Sequence, residues 1–197
     1  WFPVDVSTAA QGTSGGRAAG RSVANRRVGA AMVGWLVFTA AIAATGALHV
    51  FLPVPRIMLV VVPAIVTAVV FSRRFVVPAP WWPVAIQTMR VPIELGIFAL
   101  FARGDMPKQM TFEGRNVDIL VGLTAPLVAW LLARGRLSNR LLVAWNLIGL
   151  ALLVNVVSIA VTSMPGPLHR DWPGEALTIV TDLPNVWLPT FLVPIAL

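Results

Sequence analysis

WWPVAIQTMRVPIELGIFALFA, residues 81–102, is the stretch on which the fold turns. It is long and apolar enough to cross a bilayer as a helix. Yet Gln87, Arg90 and Glu94 sit in its middle, with Pro92 between the two charges. On a helix these three side chains fall within about 60° of one another, a single stripe on one face. A charge at mid-bilayer depth costs roughly 2.5–3.5 kcal/mol, so the stripe must be paired, wetted or functional. Pro92 has no amide hydrogen for the carbonyl of Thr88, so a kink is expected, with Arg90 or Gln87 placed to satisfy that oxygen.

Similar apolar runs recur on both sides. The chain has 197 residues, 57% hydrophobic and 12% charged, with a mean hydropathy of +0.81. A soluble domain carries about 25% charged residues. The expected fold is therefore all-α, a polytopic transmembrane helical bundle with about six spans. Their expected bounds are 28–52, 57–72, 81–102, 117–133, 141–164 and 186–197. Small residues in the first (Ala30, Gly34, Ala40, Ala44) suit close helix contact. The second is short, and Arg56, Arg73 and Arg74 would snorkel from its ends. The last is too short to cross as a helix, so it is expected to be partly inserted or to continue beyond Leu197. Residues 1–27, rich in Gly, Ser, Ala and Arg, read as a flexible basic cytoplasmic arm, and 28–197 as one transmembrane domain.

Charge sets the orientation. With the N-terminus inside, the inner segments hold nine basic residues, among them Arg73, Arg74, Arg134, Arg136 and Arg140, with Asp5 their single acid. The outer segments hold five (Arg56, Arg103, Lys108, Arg115 and Arg170) and six acids. That asymmetry fits a cytoplasmic N-terminus. The formal charge of +7 thus reads as a topology signal, and nucleic acid is not an expected partner. No cysteine is present, which excludes disulfides, thiolate metal sites and cysteine nucleophiles.

The polar residues within spans are the candidates for chemistry. Asn155, Ser158 and Thr162 form a second stripe in the fifth span, at the spacing of Gln87, Arg90 and Glu94. Arg90 or Glu94 is therefore expected to hydrogen-bond across to Asn155 or Ser158. A ligand site would combine Gln87, Arg90, Glu94, Asn155 and Ser158. The same residues also suit a bland role as interhelical polar glue. The outer-loop candidates are Glu113, Arg115, Asn116, Asp118 and His169, with Asn116 placed as N-cap of the fourth span and Asp118 at that helix's positive end. His49 and His169 are weak metal candidates, because no HxxxH-like spacing supports them. No phosphate loop, dinucleotide fingerprint, GxSxG or HExxH motif is present, and no cofactor is indicated. In the loop after residue 102, Met106, Pro107, Met110, Thr111 and Phe112 are too apolar for an idle linker: the loop would either dock on a partner or, the favoured expectation, fold back over the bundle.

From Gln87 onward the strings QTMRVPIELG, MPKQMTFEGRNVDILVGLTAP, LLVAWNLIGLALLVN and VWLPTFLVPIAL resemble a family of uncharacterised bacterial integral-membrane proteins. The resemblance covers about residues 87–197 and implies a multi-pass protein of the bacterial inner membrane, with no activity to carry over. Three functions are then open. One is a small bundle that binds or transports a small molecule, ion or lipid-like ligand at the polar midplane site. Another is an accessory subunit of a larger membrane complex, with membrane lipid, other subunits or a second copy as partners. The thinnest is an enzyme acting on a lipid or quinone, with Glu94 as acid or base and Arg90 holding a headgroup.

Overall fold

The computed structural model describes residues 26, 28–51, 54–72, 79–172 and 174–196, so most of the expected arm at 1–27 lies outside the described residues. These residues form helices and turns, with no strand among them. Helix α1 spans Val28–Ala44, α2 Met58–Ser72, α3 Trp82–Ala102, α4 Ile119–Ala133 and α5 Asn139–Ser163. A π turn at Leu188–Leu192 leads into a last short helix, α6, Val193–Ala196.

Two of these, α3 and α5, are long and apolar enough to cross a membrane, about 31 and 37 Å at 1.5 Å per residue. Helices α1, α2 and α4 are apolar but shorter, about 22–26 Å. Six full spans are therefore more than the described residues form. The expected first span stops at Ala44, where Gly46 takes a left-handed conformation and a 3-10 turn at Ala47–His49 follows. The expected sixth span breaks at Pro189 into the π turn and α6.

Local chemistry explains the helix ends. Arg136 N–H bonds the Leu131 carbonyl and Gly135 N–H that of Leu132, with Gly135 at φ +64°. This Schellman closure turns α4 into α5 within five residues. Gly104, at φ +85°, ends α3 the same way, with Asp105 N–H on the Leu100 carbonyl. Ser138 caps α5 by accepting the Leu141 N–H.

Helix α3 is not uniform. Residues Gln87–Met89 tighten into a 3-10 turn between α-helical segments Trp82–Ile86 and Arg90–Ala102. This change of helix type falls one turn before Pro92. Helix α4 lies against this turn. A Cβ on Gly122 would stand 2.8 Å from the Val91 side chain and 2.9 Å from its backbone nitrogen. At the far end, the Trp35 indole of α1 donates to the Thr190 carbonyl at 2.9 Å, and Trp187 donates to that of Leu36 at 3.3 Å. The core (Ile57, Val61, Ile97, Met106, Met110, Ile159, Met164, Leu177 and Val186 among others) gathers under the loops that follow α3 and α5.

Candidate functional site

The charged stripe of α3 is buried. Arg90 is 4% exposed and Glu94 2%. Arg90 donates its Nε to the Oε1 of Gln87, one turn back, at 2.8 Å. Its Nη1 forms an ion pair with Asp118, which is 5% exposed. Asp118 is the N-cap residue of α4, but its side chain caps no backbone group and is turned to the guanidinium instead.

Glu94 is held by the loop. The Asn116 amide donates to both Glu94 carboxylate oxygens, at 2.8 and 2.7 Å, and to the Met110 carbonyl at 2.9 Å. The Asn116 side-chain oxygen accepts the Asp118 N–H at 3.1 Å. One fully buried amide thus ties Glu94 to the connection between α3 and α4, a strap of residues 103–118 that ends in Asp118. This corrects the sequence expectation of Asn116 as helix cap: the asparagine precedes the helix and serves the carboxylate.

The strap itself is tightly wound. Gln109 donates to Ser163 Oγ at 3.1 Å, Thr111 Oγ1 to the Lys108 carbonyl, and Arg115 N–H to the Gln109 carbonyl. A Cβ on Gly114 would fall 2.1 Å from the Lys108 carbonyl oxygen, so only glycine fits. Met106 and Met110 are buried, and Phe112 stacks on Phe98 of α3 with centroids 5.0 Å apart. The loop folds back over the bundle, as its apolar content led us to expect. Gln109 and Ser163 went unmarked in the sequence. The nearest signal for them was the run of apolar side chains around Gln109.

The second stripe has different partners from those expected. Asn155 donates to the Arg115 carbonyl at 2.9 Å, so it anchors the strap. Ser158 and Thr162 return their hydroxyls to α5's own carbonyls, at Val154 and Ser158. The face of α5 turned to the charged cluster carries Leu153, Val156, Val157 and Ala160. A one-residue difference in helical phase moves a side chain by about 100°, enough to exchange one face for another. Among the outer-loop candidates, Glu113 is exposed, and Arg115 lies over the Trp172 ring at 4.8 Å. His169 Nδ1 donates to the Met164 carbonyl, and His49 pairs with Asp182 at 2.6 Å. Among the described residues no three His, Asp or Glu side chains converge to hold a metal.

Two cavities meet at Arg90. The larger, about 90 Å³, lies between α2, α3, α5, the strap and the C-terminal segment. Among the described residues its walls are aliphatic and thioether side chains, and its only polar side chains are Arg90, Glu94 and Asp118. The smaller, about 50 Å³, is bordered by Gln87, Arg90, Trp145, Asn146 and Gly149. Arg90 and Leu153 border both. Otherwise the walls divide by position along the helices. On α5, residues 145–150 border the small cavity and 156–164 the large one.

No curated protein and no solved structure matches the chain. The family model described as a domain of unknown function, DUF8737, matches residues 47–197, a range that takes in both cavities and the whole charged cluster. The chain belongs to that family.

Proposed function

We propose that this is a multi-pass protein of a bacterial inner membrane that binds, and passes across, a small and largely apolar ligand. The ligand occupies the larger cavity, with its polar end at Arg90, Glu94 and Asp118. The observation that carries this reading is the cavity itself, an apolar chamber with three buried charged side chains at one wall. Such groups are costly to hold in a bilayer and mark functional sites. The second cavity, which also borders Arg90, supports passage over simple storage.

The outer surface supports the membrane setting. Helices α3 and α5 are each only 22% buried, whereas the core helix of a soluble protein is mostly covered. Leu59 is 74% exposed, and Leu123, Leu127, Leu141 and Leu147 lie between 58% and 61%. Water does not tolerate apolar faces on this scale, but lipid tails do. The shorter helices would be accommodated by local thinning and snorkelling, which lets the expected six-pass threading stand as part of this proposal.

The test is native mass spectrometry of protein extracted directly into polymer-bounded lipid discs. We expect a small molecule bound in a 1:1 ratio, lost in Ala160→Trp, whose indole fills the cavity. A wild-type protein with no adduct and no uptake from a panel of lipophilic compounds would overturn the reading. The same apolar faces would also serve an accessory subunit of a larger complex, and a spectrum showing only monomer would remove that alternative.

A further inference from the structure

The charges around the larger cavity do not balance. With both carboxylates ionised, Glu94 and Asp118 face one guanidinium, Arg90. That guanidinium is committed to Asp118 and Gln87. The buried ion pair among the described residues is Arg90–Asp118, and it does not include Glu94. Glu94 is 98% covered, and its hydrogen-bond partner, the Asn116 amide, is neutral. Among the described residues the other cavity walls supply no compensating charge. Helix α2 contributes Met58 and Val61, α5 contributes Leu153 to Met164, and the C-terminal segment contributes Val180 and Leu188, none of them titratable. A buried carboxylate with no ion pair of its own in an apolar chamber is expensive, and a cation brought beside it is correspondingly favoured.

We propose, building on the ligand-binding reading above, that the cavity selects hydrophobic cations. The ligand class is an organic ammonium with an apolar body, and Glu94 supplies its counter-charge. The wall composition fits. Among the described residues no aromatic ring borders the cavity, so no cation–π cage there competes with Glu94 as the source of charge recognition. Four of the protein's six methionines (Met58, Met106, Met110 and Met164) border it, and their flexible, polarisable side chains adapt to apolar bodies of differing shape. Arg90, tied to Asp118, keeps anionic head groups from being the better match, because any anion there would meet two carboxylates at close range.

The probes are phenyltrimethylammonium and its neutral isostere tert-butylbenzene, titrated calorimetrically into the protein in lipid nanodiscs, with empty discs subtracted. We expect the cation to bind at least about tenfold more tightly than the isostere. Glu94→Gln should bring the two to parity, and Glu94→Asp should keep the preference. Binding of the isostere as tightly as the cation to the wild-type protein overturns the cation assignment and leaves the ligand cavity standing. If neither binds, both readings fall. Should Glu94→Gln not fold, the wild-type pair and Glu94→Asp decide the matter alone.

Discussion

Arg90 is the residue on which the buried cluster depends. Removing the guanidinium leaves Asp118 buried without its cation, and breaking a buried pair from one side costs about 3–5 kcal/mol. Arg90→Met should therefore lower thermal stability in detergent sharply. Adding Asp118→Leu should restore much of the loss, since a well-packed apolar pair replaces an ion pair with little penalty. A double variant no more stable than Arg90→Met would show that Arg90 acts through other partners. Asn116 gives a second residue-scale expectation. Asn116→Asp places a carboxylate against both Glu94 oxygens and removes the amide donor. It should be worse than Asn116→Ala, which costs about 1–3 kcal/mol through the groups left unsatisfied. Melting temperatures of the two variants in the same detergent check the order. At this scale the sequence was partly legible. The Gln87–Arg90 contact follows from helical spacing, because partners three apart share a face whatever the fold. Asp118 and Asn116 stood out as polar residues at a span's start, but their use did not. A side chain that could cap a helix goes to a buried charge when tertiary structure supplies one.

At the scale of elements, two glycines set the distances. Gly122 lets α4 lie directly on the 3-10 turn of α3, which is what brings Asp118, one turn earlier, to Arg90. Gly122→Ala should push the helices apart at a cost of about 1–3 kcal/mol, the usual range for overpacking. Gly114→Ala should be more damaging, because its Cβ would strike a backbone oxygen at 2.1 Å, and backbone cannot step aside as a side chain can. Thermal melts of both variants test the ranking, with limited proteolysis expected to cut first within residues 103–116 of Gly114→Ala. The helices themselves were readable because apolar runs of this length leave few alternatives. Their ends were less so. The first helix stops at Ala44, eight residues before the apolar pattern does, and the last breaks at a π turn around Pro189. Turn chemistry and proline decide such ends, and hydropathy registers neither.

For the whole molecule, the membrane setting is open to direct test because the chain has no cysteine. Single cysteines can be introduced without background. Asp105→Cys in the strap and Ser138→Cys in the α4–α5 turn are both at exposed positions. In intact cells an impermeant maleimide should label the first and spare the second. Labelling of both, or of neither, would contradict the proposed inside-to-outside course of α3.

The sequence by itself determined that this chain is helical and rich in apolar faces, and that three polar residues share one stripe of α3. These are properties of composition and periodicity, which any fold of the chain must respect. Only the tertiary structure decided what the stripe is for. Arg90 is met from 28 residues away and Glu94 from 22, by side chains on a strap whose path depends on a glycine contact and a stacked phenylalanine. The cavity beside them is made by five segments at once. No local pattern encodes such a space, because it arises from where separate helices fail to touch. In residues 81–102 the charges are written plainly, and their neighbours appear only when the chain folds back on itself.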